Sequence, residues 1–288
     1  MEVLAAVIQG LLLGGLFALA ATGLSIMFGV MRIVNLAHGD LAILAAFVAF
    51  VLVVQTALPL WIVVIAAVVV FGFLGYGVQR LLLGRSLRTG PLATLLVTFG
   101  LSIIIQNLLL EGFSADTRTL DAGVLTTAAW RVAPGIAIST LALVTFALAI
   151  GVIVAVQLFL SRTRTGRLMR ATSDDPATAA LVGSNAKHIY GVATAIAFAT
   201  IALAGVLYAM RSSFDPSLGP TRLIFAFEAV VIGGLGSLWG TLVGGMVLGV
   251  TQTVVAVVDP SLSLLAGHLV FLAVLAFRPQ GVLAGRTV

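Results

Sequence analysis

The feature that most constrains this chain is a series of long apolar runs, most near twenty residues, separated by short polar interruptions. They cover Val3–Val30, Leu41–Leu58, Leu60–Leu83, Leu92–Leu110, Ile136–Leu160, Val192–Met210, Leu223–Gly234, Trp239–Val258 and Leu262–Phe277. A hydrocarbon core about 30 Å thick takes about 20 helical residues to cross, and in lipid every backbone polar group must find its partner internally. Hydrophobic residues are 61% of the chain and charged ones 9%. Soluble domains carry about 25% charged residues, so neither a soluble globule nor a disordered chain fits. The expected fold is an all-α polytopic membrane protein, residues 1–288 forming one transmembrane domain of about 8–9 helices. Leu223–Gly234 has 12 residues and reaches only about 18 Å, which makes it the short or broken member. Only Met1 and Glu2 precede the first run. Without a basic leader, that run reads as a retained span and not a secretory signal.

Arginine placement sets the orientation. Arg80–Pro91 carries Arg80, Arg85 and Arg88 with no acid, and Ser161–Gly191 carries Arg162, Arg164, Arg167, Arg170 and Lys187. Glu111–Gly135 mixes Glu111, Asp116 and Asp121 with Arg118 and Arg131. The first two connections are expected in the cytoplasm, the third (about 111–135) outside, and the N-terminus outside. The tail with Arg278 and Arg286 is cytoplasmic if Leu223–Gly234 crosses, and external if that segment is re-entrant; the crossing is favoured. The net charge of +5 is read as orientation, not nucleic-acid binding, because the cations sit in short connections with no basic face and no aromatic platform.

Several chemistries are excluded. There is no Cys, hence no disulfide and no thiolate nucleophile or ligand. The sole lysine, Lys187, has no Gly before it, so a Walker A loop is impossible. His38, His188 and His268 form no i,i+4 pair, and no Ser is flanked by Gly at −2 and +2, so zincin and nucleophile-elbow sites are absent. No catalytic residue, metal site or cofactor is expected on this chain.

Three constellations remain. In the 161–191 connection, Asp175-Pro176 writes an N-cap followed by proline at the first helical position, and Gly183 suits a left-handed stop. The resulting two-turn helix, about 176–182, puts Ala177, Ala180 and Leu181 on one face. Docking into a partner's groove and lying on lipid headgroups are both open readings. Gly233, Gly234, Gly236, Ser237 and Gly240 break the chain before a glycine ladder continuing through Gly244, Gly245 and Gly249. Ladders of this spacing favour close helix packing, while unwound backbone at membrane depth lines cavities or is buried. Asn35, His38 and Asp40 follow the first run, as a polar cap on helix ends or as pathway lining. Gln252 and His268 read as interhelical hydrogen-bonding groups, and Glu228 as facing a vestibule or snorkelling to water.

Together, Gly23-Leu-Ser-Ile-Met-Phe-Gly29, Asn35-Leu-Ala-His-Gly-Asp40, Arg170–Gly183, Ile232-Gly-Gly-Leu-Gly-Ser237 and Arg278-Pro-Gln-Gly281 resemble the permease subunits of branched-chain amino acid ABC importers, in the family's order over nearly the whole chain. The resemblance implies a multi-pass protein of the bacterial cytoplasmic (inner) membrane. It also implies a second permease, usually a different chain, two ATPase subunits that hold ATP and Mg, and an external substrate-binding protein. Arg170–Gly183 matches the family's cytoplasmic coupling helix, placing Asp175, Pro176, Ala177, Ala180, Leu181 and Gly183 at the ATPase contact. The family pattern E-A-A-x-x-x-G stands here as Ala177-Thr-Ala-x-x-x-Gly183, without the Glu. The translocation path is expected among Asn35, His38, Asp40, Glu228, Gly233, Gly234, Gly236, Ser237 and Gly240. The substrate implied is a branched-chain or other small amino acid. The alternative is a self-contained channel for a small neutral solute such as urea or a short amide, and a third class, an intramembrane enzyme, lacks any catalytic constellation.

Overall fold

Helix forms wherever the chain is apolar and free of breakers, and the breakers mark the ends. The structure, a computed structural model, describes residues 2–56, 58–133 and 136–283. The elements are α1 (Glu2–Met31), α2 (His38–Thr56), α3 (Leu60–Val78), a π-helical turn (Gln79–Leu83), α4 (Gly84–Thr89), α5 (Pro91–Phe113) and α6 (Val124–Thr127). A hairpin of β1 (Ala129–Ala133) and β2 (Ile136–Ser139) follows, then α7 (Thr140–Arg162), α8 (Arg164–Asp174), α9 (Pro176–Leu181) and α10 (Ala186–Arg211). The chain ends with α11 (Gly219–Gly233), α12 (Leu238–Val258) and α13 (Ser263–Phe277). Among the described residues, 8 helices are long and apolar enough to cross a membrane. The ninth, α11, is the short one, with 15 residues where the apolar run alone has 12.

Three connections are more ordered than their sequence implies. Arg80–Pro91 is not a loop: helix continues from α3 through the π-turn and α4, because a single Gly84 between Gln79 and Thr89 weakens helix without ending it, and the stop comes at Gly90-Pro91. The 161–191 connection is likewise largely helical, with Thr163 Oγ1 accepting from Gly166 N at 3.0 Å to start α8. The 111–135 connection holds α6 and the first strand of an antiparallel hairpin, register Ala129 with Ser139 and Trp130 with Ile138. Pro134 and Gly135 of that connection, and Arg286 of the tail, lie outside the described residues.

α1 is the central post. α12 crosses it where Gly245 and Gly249 meet Gly10 and Gly14, and a Cβ at any of these positions would strike the facing helix. Another face of α12 presents Gly240 and Gly244 to Gly233 and Ala229 of α11. The ladder is therefore two packing surfaces on one helix, as small residues permit in lipid.

Two reversals set the remaining geometry. After α1, Arg32 takes φ 54° and the chain turns back along α1 as residues 32–37. His38 consequently meets Ala20, about 16 Å up from Met31 at 1.5 Å per residue. After α10, Phe214 pairs with Arg118 (2.8 Å each way) and residues 212–218 turn inward. α11 therefore begins inside the bundle, its Gly219 lodged against Gly39 and Asp40. Its C-terminal end receives the tail, Val282 N donating to Ile232 O at 2.8 Å and Leu283 N to Gly233 O at 3.1 Å. The same end holds α9, because Ser173 Oγ donates to Gly29 O at 2.5 Å and Gly236 lies against Gly29. The tail and the 161–191 connection thus share one end of the bundle.

Candidate functional site

The nine path candidates divide into an inner cluster, an end cluster and one helix-bridging pair. In the inner cluster Asn35, His38 and Asp40 are all essentially buried. Asn35 Oδ1 accepts from Ala37 N at 3.0 Å, so Asn35 caps the turn into α2. Asp40 is no cap. Its Oδ2 accepts from Ser102 Oγ at 2.6 Å and its Oδ1 from Gln106 Nε2 at 2.9 Å, both on α5. His38 Nε2 lies 2.8 Å from Ala20 O, while its Nδ1 has no partner. Leu36 N donates to Thr98 Oγ1 at 3.2 Å, so α5 satisfies both the carboxylate and the unwound strand before α2. Burying such groups without partners would cost about 1–3 kcal/mol each.

Thr94, Thr98, Ser102 and Gln106 recur every four residues along α5 and make one polar stripe. Sequence reasoning missed these residues, although the i+4 recurrence inside an otherwise apolar run was the signal to follow.

The end cluster is the break between α11 and α12. Gly234 and Gly236 have φ +112° and +82°, conformations open to glycine. Ser237 Oγ accepts from Gly240 N at 3.0 Å and caps α12. The break is tightly packed at its glycines: Gly233 meets Gly240, Gly234 meets Leu283 and Gly281, and Gly236 meets Gly29. It lies at the end that carries α9, with the inner cluster at the far end of α11.

Glu228 belongs to neither cluster. It is 2% exposed and its Oε1 lies 2.5 Å from His268 Nδ1 on α13. It neither snorkels to water nor faces a vestibule. Of the two polar groups assigned to interhelical bonding, His268 makes its bond, whereas Gln252 is buried with Nε2 unpartnered.

α9 stands at the surface. Asp175 Oδ1 accepts from Ala177 N at 2.9 Å and its Oδ2 from the Thr178 hydroxyl. The Thr178 side chain first, then the amides of Thr178 and Ala177, hold the Asp175 carboxyl below the usual carboxylate range. Gly183, at φ +84°, ends the helix with Ser184 N donating to Ala179 O (3.1 Å) and Gly183 N to Ala180 O (3.0 Å). That pair of bonds is a Schellman motif. Ala179 is buried against the body, while Ala177, Ala180 and Leu181 are exposed, Leu181 at 86%. Thr172 and Ser184 hydroxyls, 2.9 Å apart, tie α8 to the far side of α9.

Three comparisons bear on this geometry. Residues 6–276 match the family described as branched-chain amino acid transport system / permease component. The high-affinity branched-chain amino acid transport system permease protein BraD of Pseudomonas aeruginosa is 32% identical, over 96% of this chain and 94% of its own length. The corresponding LivH protein of Escherichia coli K12 is 26% identical, over 96% and 93%. Among solved structures, a chain of PsaBC from Streptococcus pneumoniae in complex with Fab aligns with TM-score 0.50 and 16% identity, covering 94% of this chain and 91% of its own. That last likeness shows the fold alone.

Proposed function

Because the chain belongs to the family of branched-chain amino acid transport system permease components, a multi-pass inner-membrane family, we propose that it is the membrane-spanning subunit of an ATP-driven importer for branched-chain or other small amino acids. Its partners in this reading are a second permease, two ATPase subunits that bring ATP and Mg, and an external substrate-binding protein. The matched relatives are named as components of transport systems, which favours a subunit over a self-contained channel. The Arg162, Arg164, Arg167, Arg170 and Lys187 group supports a cytoplasmic position for the α9 end, and thus an external N-terminus and a cytoplasmic tail.

The observation that carries the reading is α9 itself, a helix capped at both ends whose apolar residues Ala177, Ala180 and Leu181 point away from the body. A channel has no use for such a knob, whereas a groove on an ATPase would bury it. Movement of α9 would pass through α8 and the Ser173–Gly29 bond to α1, against which α10, α11 and α12 all pack. The substrate route is proposed along α11, from the Asn35–His38–Asp40 cluster at its start to the Gly233–Gly240 break at its finish. Backbone carbonyls and amides there would offer a zwitterion weak, temporary bonds. The test is ATP-driven leucine uptake by the reconstituted complex carrying Ala180→Arg. Wild-type uptake by that variant would overturn the assignment.

A further inference from the structure

The chain's cations, scattered in the sequence and read there as forming no basic face, converge in three dimensions. Arg32, Arg80, Arg85, Arg88 and Lys187 line one cavity of about 690 Å³ at the α9 end of the bundle, with no Asp or Glu in its wall. Among the described residues, none of the five lies within 4.0 Å of a carboxylate. Arg80 is steadied over the Tyr76 ring, 5.7 Å from its centroid. Pro91 and Ala186, the first residues of α5 and α10, stand in the same wall, so two long helices turn their positive ends toward it.

A second observation is independent of charge. Gln79 also lines the cavity; it is 1% exposed, its Oε1 accepts from Thr194 Oγ1 at 2.9 Å, and its Nε2 has no partner. A buried amide donor left open beside five unpaired cations wants an acceptor oxygen. Gln79 begins the π-turn, and such turns often re-aim side chains at functional positions. Leu81, Leu82 and Leu92, each next in sequence to or near a cavity-lining residue, are exposed apolar side chains on the flanking helices.

We infer that this cavity binds the phosphate headgroup of an anionic phospholipid, whose acyl chains run down the exposed leucines while Gln79 Nε2 donates to a phosphate oxygen. Basic pockets between transmembrane helices take such headgroups. A docked protein carboxylate would account for the charge as well; the exposed leucines beside the cavity favour the lipid. The inference needs the bilayer placement only, and stands apart from what the chain transports.

Native mass spectrometry of the full chain in detergent, titrated with dioleoyl phosphatidylglycerol or dioleoyl phosphatidylcholine, tests it. Phosphatidylglycerol should bind at least about tenfold tighter than phosphatidylcholine, and Arg85→Gln with Arg88→Gln should remove about fivefold per cation. Arg85→Lys with Arg88→Lys should keep the preference. Should the Gln pair fail to fold, Arg32→Gln, outside any helix, reads the same loss. Equal binding of the two lipids would overturn the inference. Inorganic phosphate binding as tightly as phosphatidylglycerol would also overturn it, leaving a free-anion site. So would Gln variants that lose copurifying partner chains while keeping the lipid preference, since the cavity would then be a protein contact.

Discussion

Glu228 and His268, 40 residues apart, meet at 2.5 Å between Oε1 and Nδ1 and are the only polar side-chain bond between α11 and α13 among the described residues. Phe225 stacks beside the same imidazole at 6.2 Å. The arrangement is lopsided, since the Glu228 side chain is 3% exposed and that of His268 41%. The histidine reaches in from a peripheral helix to satisfy a carboxyl that the short helix holds inside. α13 has one buried residue, Gly267, so this bond is a main specific link between α13 and the core.

Removing the inner partner's only bond should therefore cost more than removing the bond entirely. His268→Ala leaves a buried carboxyl unpaired and should lower stability by about 1–3 kcal/mol. Glu228→Gln, which can still accept from the imidazole, should be milder. In a double-mutant cycle, Glu228→Ala with His268→Ala should fall short of the sum of the single losses, as contacting residues do. Thermal unfolding in detergent measures all four proteins, and strict additivity would dissolve the pair.

The α9 prediction concerns coupling and its pH range. Ala180→Arg and Leu181→Asp should each cut ATP-driven uptake by about tenfold or more while the membrane domain remains folded, since a charge forced into an apolar contact loses its hydration. The Asp175 carboxyl is held below its ordinary range, so the capping stabilisation is present above the unfolded value and lost as pH falls through the lower folded one. Between pH 6 and 8, then, Asp175 should impart no pH dependence. Asp175→Asn should retain coupling better than Asp175→Ala, because an amide oxygen still accepts from Ala177 N. Uptake against pH for the three proteins decides it.

Much of this was legible from the chain. The runs bounded by Pro59, Pro91 and Pro260 become helices because hydrophobicity and breakers act locally, and Asp175-Pro176 to Gly183 writes its own caps. What stayed hidden depends on how distant segments meet. Residues 32–37 turn back beside α1 to where the α5 stripe meets them, Thr98 accepting from Leu36 N, and Ser102 and Gln106 donating to Asp40 just beyond. The cations of 32, 80–88 and 187 gather because α3 extends helically past Leu83, a continuation that no hydropathy window registers. Ile136, placed in an apolar run, instead opens the second strand of a hairpin, where pairing with β1 overrides the run's helical reading.

Orientation is open to cysteine labelling, because the chain has none of its own. Ser173, in the middle of the 161–191 connection, is a poor reporter, being 8% exposed and bonded to Gly29 O. Arg164 is a better one, exposed in the same connection and outside the proposed α9 contact, with Thr119 exposed at the opposite end. In intact cells a membrane-impermeant maleimide should modify Thr119→Cys and spare Arg164→Cys until the membrane is permeabilised. The reverse pattern would invert the proposed topology.

Glycine substitutions separate backbone packing from route lining. At Gly39 an added Cβ would run into the Gly219 carbonyl, where the α2 and α11 starts touch. Backbone cannot move aside as a side-chain tip can, so Gly39→Ala should lower stability by about 1–3 kcal/mol, as overpacking does. Gly77, with nothing within 4 Å of its would-be Cβ, is the control, and Gly77→Ala should be neutral or gain up to about 1 kcal/mol of helix propensity. Gly236 differs from both. Its Cβ would lie 3.3 Å from the Gly29 Cα, so the backbone there would have to shift by only a few tenths of an ångström, far less than at Gly39, and its φ of +82° penalises any residue with a β-carbon by about 1–2 kcal/mol. Gly236→Ala should therefore be tolerated with reduced stability, and Gly236→Leu should wedge α1 from the break. If the break lines the substrate route, Gly236→Leu should abolish uptake in complexes that still assemble and hydrolyse ATP in response to the binding protein. Wild-type uptake by such complexes would leave the Gly233–Gly240 break as packing alone and move the route to the inner cluster around Asp40.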